Sequence, residues 1–179
     1  GSACAPRAAP RPVHLALAFH LGLDLLEMVF EEVGSKVESI ALMETSQSIV
    51  GERKPLQFSE NRQRFERFQV DVVAGMDTKN HTTVDQVAAA WWGGLAPLLA
   101  RAGPADAVLL LATGEVPSSE LILRLQSCAD LTFPIVPLMD WYMYNLNWHG
   151  PEPWGLKLLQ GPVVVTVAQL RAAAAAAAA

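Results

Sequence analysis

The chain has 179 residues, of which 51% are hydrophobic and 17% charged, and its formal net charge is −5. Length and composition favour one domain with a substantial core, and the negative charge argues against a general nucleic-acid coat. No apolar run reaches the roughly 18 residues of a membrane-spanning helix. We therefore expect a soluble protein with no membrane partner.

Both ends of the chain differ from its centre. Gly1-Ser2 is typical of a cloning scar, and the Ala/Pro/Arg composition up to residue 12 predicts a flexible arm. At the other end, the alanine run Ala172–Ala179 is more typical of a helix with unassigned side chains than of a natural sequence. We expect a domain over residues 13–170, an unassigned helix beginning at 171, and an associated effector beyond it.

The two cysteines are too few for a disulfide framework or a metal cluster. Cys4 falls in the predicted arm, and Cys128 falls in a helical pattern as a core thiol. This usage indicates an intracellular, cytoplasmic setting.

Apolar runs and helical patterns alternate from the start of the domain. Val13–Phe19 predicts a strand, Leu23–Val33 has the spacing of an amphipathic helix, and Val37–Met43 predicts a second strand. A strand, a helix and a strand within this length form a βαβ unit, which favours a parallel sheet.

The middle of the chain contains its most charged stretch, Gly51–Phe68, whose basic residues we interpret as a solvated face rather than a polyanion site. The half from Asn61 to Phe68 could be helical. A third strand is predicted over Gln69–Ala74. Thr82–Arg101 then predicts a helix that Gly93-Gly94 and Pro97 either kink or divide into two pieces.

The last third repeats the alternation. Ala107–Ala112 predicts a strand and Ser119–Leu131 a helix, and Pro134–Met139 predicts an edge strand because of its prolines. Pro162–Ala168 could be a sixth strand or the lead into the alanine helix. The whole pattern predicts an α/β fold, a Rossmann-like three-layer sandwich with a mostly parallel sheet of five or six strands.

Polar, glycine-containing loops follow the predicted strands. Because the carboxyl ends of parallel strands share one edge of a sheet, these loops should line a common crevice. Hydroxyls and free N–H groups suit phosphate or ribose oxygens. The candidate ligand-binding residues are His20, Gly22, Thr45, Ser46, Ser48, Thr113, Gly114, Glu115, Ser118 and Ser119.

Several sharper motifs are missing from the sequence. There is no GxGxxG after the first strand, no GxxxxGK[ST] and no GxSxG, which disfavours common dinucleotide, P-loop and hydrolase sites. We expect no cofactor and no metal site, although Glu44 and Asp140 could form an acidic metal pair. The aromatic segment Trp141–Trp154 could stack on nucleobases, but we favour an interface.

The order of loops resembles the CARF domain, the CRISPR-associated Rossmann fold. The resemblance rests on His20–Gly22 after the first strand, Glu44–Ser48 after the second, and Ala107–Ala112 leading into Thr113–Glu115. It implies a homodimeric, non-enzymatic sensor in antiviral defence that binds a cyclic oligonucleotide or another phosphate-bearing ligand and controls an effector. Two alternatives stay open. One is a Toprim-like or ring-nuclease-like phosphodiesterase, and the other is a degenerate Rossmann or von Willebrand A-like scaffold for protein interaction.

Overall fold

The computed structural model describes residues 4–47, 52–76, 84–112, 114–139 and 162–177. Five strands form one sheet: β1 (Val13–Phe19), β2 (Ser39–Thr45), β3 (Val70–Met76), β4 (Ala107–Ala112) and β5 (Val163–Thr166). The helices are α1 (Leu23–Val29), α2 (Gln57–Glu60), α3 (Val84–Arg101), α4 (Ser119–Ser127) and α5 (Val167–Ala177). A π turn, Phe30–Gly34, extends α1, and a 3-10 turn, Arg62–Phe65, follows α2.

The sheet has the strand order β3-β2-β1-β4-β5. β1 lies at its centre and pairs in parallel with both β2 and β4, so that Leu17 is in register with Leu42 on one side and Leu111 on the other. β5 runs antiparallel to β4. The predicted α/β class with a mostly parallel sheet is therefore confirmed, as a mixed sheet of five strands.

Apolar side chains cover both faces of the sheet, as expected for parallel strands enclosed between helices. On one face, Leu15 and Leu17 belong to a core with Phe30, Ile122 and Leu125. A second core on the opposite face contains the following residues: Ala16, Ala41, Met43, Leu95, Leu98, Val167 and Leu170. The small Ala16 and Ala41 allow α3 and α5 to pack closely over the centre of the sheet.

Two predicted strands differ from the structure. β2 continues to Thr45, two residues beyond its predicted end, so Glu44 lies in the strand and not in a loop. The predicted edge strand Pro134–Met139 was wrong, since only Ile135 makes a bridge, to Val164, through reciprocal N–H···O bonds of 2.9 and 2.8 Å. Prolines 134 and 137 have no N–H to donate to a ladder, and the fifth strand forms from Val163–Thr166 instead.

The helices also differ from those predicted from the sequence. α3 is a single helix that includes Pro97, where a kink or a division into two pieces was expected. α4 ends at Ser127, and Cys128 is already extended with φ −90° and ψ 128°. α5 begins at Val167, which makes the lead into the alanine run helical four residues before the predicted boundary at 171.

The two cysteines form a disulfide, with Cα atoms 5.5 Å apart and a sequence separation of 124. The prediction of unpaired thiols was wrong, because a single long-range pair has no spacing signature. The disulfide fixes the start of the chain to the end of α4. The cytoplasmic setting stays a prediction, and its argument from unpaired cysteines no longer applies.

The segment predicted as a flexible arm is hydrogen-bonded along the same helix end from residue 4 onward. The amide of Arg7 donates to the carbonyl of Ser127 at 2.8 Å, and the guanidinium of Arg11 donates to the carbonyl of Leu125 at 2.9 Å. The Arg11 guanidinium also lies over the ring of Phe133. Across the described ranges, no helix is long and apolar enough to cross a membrane.

Candidate functional site

The order of the strands reverses between β1 and β4. The chain leaves β1 through α1 toward β2 on one side, whereas β4 is followed by α4 and by β5 on the other side. In open α/β sheets, ligands bind in the crevice that this reversal opens at the carboxyl ends of the strands. Here the two strand ends meet directly, since Ala18 is in register with Ala112.

A glycine with positive φ follows each of these two strands. Gly22 has φ +93° and Gly114 has φ +91°, and L side chains rarely adopt this conformation. A Cβ added to Gly22 would lie 3.6 Å from Cδ1 of Leu25, and one added to Gly114 would lie 3.9 Å from the same atom. The two loops therefore meet around Leu25, so the structure places these two residues close together.

Glu115 closes the turn at the end of β4. Its carboxylate accepts a hydrogen bond from the amide of Ala112 at 2.6 Å, and its own amide donates to the Ala112 carbonyl at 3.2 Å. Burial raises the pKa of the Glu115 carboxyl, and the bond from Ala112 opposes this shift. Glu115 thus holds the turn that contains Gly114, which we call the glycine loop. Thr113 lies outside the described residues.

The two serines at the start of α4 are used within the fold. The Ser118 hydroxyl caps the helix by accepting from the amide of Leu121 at 3.3 Å. Ser119 donates its hydroxyl and its amide to a carboxylate oxygen of Glu32, at 2.6 and 2.8 Å. These bonds lower the pKa of Glu32. Both serines were predicted as ligand contacts. In the structure Ser118 caps α4, and Ser119 joins α4 to the π turn that follows α1.

The polar segment after β2 turns back on itself. Thr45 donates its hydroxyl to the carbonyl of Gln47 at 2.9 Å, and Ser46 accepts from the amide of Lys54 at 2.9 Å. An antiparallel bridge between Gln47 and Arg53 closes the turn. Thr45 and Ser46 thus lie at the carboxyl edge as predicted, and Ser48 lies outside the described residues.

Glu44 is fully buried and its carboxylate is occupied. It accepts from the amide of Phe58 at 2.8 Å, from the amide of Ser59 at 3.1 Å and from the Ser59 hydroxyl at 2.9 Å. These donors hold α2 against the end of β2. Asp140, its predicted partner in an acidic metal pair, lies outside the residues that the structure describes. Within the described ranges, no group of three or more histidine, cysteine or acidic side chains could hold a metal ion.

Lys54 is the site residue that the sequence did not reveal. Its Nζ is buried and has no hydrogen-bond partner within the part of the chain that the structure describes. Burial lowers the pKa of Lys54, and the charge of Glu44 opposes this effect. The pKa of His20 is also lowered, first by burial and then by the charge of Lys54. Lys54 therefore acts electrostatically on the ends of both β1 and β2.

A family model described as Glycosyltransferase family 17 matches residues 3–155, most of the chain. The chain belongs to glycosyltransferase family 17. No curated protein and no solved structure matches it significantly. The family match begins at residue 3, so it includes the N-terminal segment that the disulfide attaches to α4.

Membership of glycosyltransferase family 17 overturns the resemblance to the CARF domain. The cyclic-oligonucleotide sensor in antiviral defence was wrong, and so were the phosphodiesterase and scaffold alternatives. The resemblance rested on loop order and on the Thr113-Gly114 pair. Loops at the carboxyl edge are common to open α/β sheets, and that arrangement serves many unrelated ligands. The expected homodimer is untested and stays a prediction.

Proposed function

We propose that this protein is a glycosyltransferase that binds a nucleoside-diphosphate sugar at the carboxyl edge of a Rossmann-like sheet and transfers the sugar to an acceptor hydroxyl. The observation that carries this proposal is the match of residues 3–155 to glycosyltransferase family 17. The mixed sheet, with its reversal between β1 and β4, supports the position of the donor.

The reaction breaks the bond between the anomeric carbon and the phosphate oxygen of the donor. A new bond forms between that carbon and the acceptor oxygen, and the hydroxyl proton passes to a base or to solvent. The nucleoside diphosphate leaves with the electron pair of the broken bond, so negative charge grows on its terminal phosphate. A fixed site assists this step by placing both reactants and by offering donors or positive charge to the leaving group.

The loops around Leu25 suit the donor for a steric reason. Gly22 and Gly114 present backbone without side chains, and Gly114 is exposed. Backbone N–H groups can then approach phosphate or ribose oxygens closely. The hydrogen bond from the Gly22 amide to Oε1 of Gln57 is long, at 3.4 Å, so this amide is weakly held in the structure.

A transfer assay tests the proposal. The purified chain is incubated with a panel of uridine and guanosine diphosphate sugars and with free oligosaccharide acceptors, and mass spectrometry detects the products. We expect the acceptor to gain one sugar residue and an equal amount of nucleoside diphosphate to appear, with no gain when the acceptor is omitted. Absence of transfer from every donor in the panel would contradict the proposal.

A further inference from the structure

Lys54 is held in place by its backbone. Its amide donates to the carbonyl of Ser46 at 2.9 Å, and the neighbouring Arg53 bridges to Gln47. These contacts anchor Lys54 to the turn that follows β2, at the same edge of the sheet as His20 and Gly22. A lysine at a fixed backbone position keeps its amine near one place, unlike a lysine on a mobile surface loop.

The amine itself lacks the partners that a buried cation needs. Nζ is buried without a hydrogen bond to any residue in the described ranges. A buried ammonium is unfavourable unless it is paired and hydrogen-bonded. Glu44 does not supply these bonds, because its oxygens accept from Phe58 and Ser59. Three N–H donors of Lys54 are therefore ready for an anion.

The titratable groups that act on this amine are Glu44 and His20. The pKa of His20 is lowered, so its imidazole is neutral at pH 7 and does not compete with Lys54 for an anion. The charge of Glu44 is shared with three donors. Lys54 is thus a cation available to a ligand at the ends of β1 and β2.

We infer that Lys54 is a phosphate-binding residue whose ammonium receives the diphosphate of the sugar donor at the carboxyl edge of β1 and β2. The identity of the anion rests on the proposed function, while the existence of an anion site rests on the buried amine. A lysine amine offers compact positive charge and three donors, which suits a phosphate oxygen. As the donor bond breaks, Lys54 stabilises the negative charge that develops on the leaving phosphate.

Binding of inorganic pyrophosphate, followed by titration calorimetry, tests the anion site directly. The variant Lys54→Met keeps most of the side-chain volume and removes the ammonium. The matched control is Lys36→Met, because Nζ of Lys36 has a partner, the Glu32 carbonyl at 2.5 Å. We expect the wild type and Lys36→Met to bind pyrophosphate alike, and Lys54→Met to bind it about tenfold to a hundredfold more weakly, as for a lost charged hydrogen bond.

Failure to fold is separated from loss of the site by urea unfolding without ligand. Removing an unpaired buried ammonium should leave Lys54→Met at least as stable as the wild type. Equal pyrophosphate affinity in Lys54→Met and wild type overturns the inference, as does absence of binding to the wild type.

The transfer assay distinguishes this inference from the proposed function. Lysine-dependent pyrophosphate binding without any sugar transfer would sustain the anion site and refute the glycosyltransferase. Sugar transfer with the same donor KM and kcat in wild type and Lys54→Met would sustain the glycosyltransferase and refute the role of Lys54.

Discussion

The carboxylate of Glu44 accepts a hydrogen bond of 2.8 Å from the backbone amide of Phe58, fourteen residues later in the chain. This bond attaches the short helix α2 to the end of a central strand. Phe58 is itself buried beside Phe30 and Phe65, so the same contact fixes the polar edge and the aromatic core beneath it. The position of α2 beside the carboxyl end of β2 therefore depends on one buried carboxylate.

We predict that Glu44→Ala lowers the free energy of unfolding by at least about 1–3 kcal/mol, because the buried amide of Phe58 loses its acceptor. Glu44→Gln should lose less, since one amide oxygen can still accept. Urea unfolding measures both effects. The control is Glu38→Ala, which removes an exposed carboxylate and should change stability by no more than about 0.5 kcal/mol. Equal stability of Glu44→Ala and Glu38→Ala would contradict the assigned contact.

Alanine substitutions at two glycines, one in a crowded position and one in open space, test the packing of the fold. A Cβ added to Gly34 would lie 2.9 Å from Cδ1 of Phe68, whereas one added to Gly93 meets nothing within 4 Å. We expect Gly34→Ala to destabilise the fold by about 1–3 kcal/mol through overpacking. Gly93→Ala lies inside α3 and should stabilise it by about 0.5–1 kcal/mol. Thermal and urea unfolding compare the two, and a stable Gly34→Ala would show that Phe68 moves freely.

The sequence predicted the centre of the sheet better than its edges. β1 and β4 have the predicted bounds, Val13–Phe19 and Ala107–Ala112, because each is an apolar run, broken in β1 only by His14, that is followed by a polar residue. At the far edge, Pro134–Met139 is as apolar as a strand, but its two prolines leave too few N–H donors for pairing. Apolar content did not bury this segment, since Leu138 is fully exposed, and its shortage of N–H donors explains why it did not become a strand.

The candidate site was predictable in position and not in detail. The topology of a parallel sheet placed Gly22 and Gly114 together, since both follow strands that end at one edge. The roles of Glu44 and Lys54 depend on contacts across the segment from 52 to 60, which sequence periodicity does not report. Ser119 illustrates the reverse case, because its partner Glu32 lies 87 residues away and occupies a hydroxyl that the pattern assigned to a ligand.

We predict that the disulfide between Cys4 and Cys128 raises the free energy of unfolding. Cys4 and Cys128 close a loop that spans 124 residues of sequence separation. A crosslink over a loop of this size is expected to stabilise the fold by about 2–5 kcal/mol, chiefly by restricting the unfolded chain. We expect dithiothreitol to lower the urea midpoint of the wild type by a corresponding amount. The double variant Cys4→Ser with Cys128→Ser should match the reduced protein and should not respond to dithiothreitol; a midpoint insensitive to reduction in the wild type would contradict the pairing.

The turn after β4 gives stability a specific dependence on pH. The pKa of Glu115 is raised in the folded chain because its carboxyl is partly buried, and the bond from Ala112 only partly offsets this. Between the ordinary glutamate value of about 4.3 and the raised value, the folded state binds more protons than the unfolded state. The contribution of Glu115 to the free energy of unfolding therefore falls as pH rises through this window, and the loss persists above it.

Glu115→Gln removes the titration and keeps an oxygen that can accept from the Ala112 amide. We expect this variant to lack that fall with pH and to be at least as stable as the wild type at pH 7. Urea unfolding between pH 4 and pH 8 compares it with Glu38→Gln, which makes the same change of charge at an exposed position. A carbon-13 titration of the Glu115 carboxyl should give a pKa above the ordinary glutamate value. A value at or below it, together with a less stable Glu115→Gln at pH 7, would show that the carboxylate stabilises the glycine loop in its charged form.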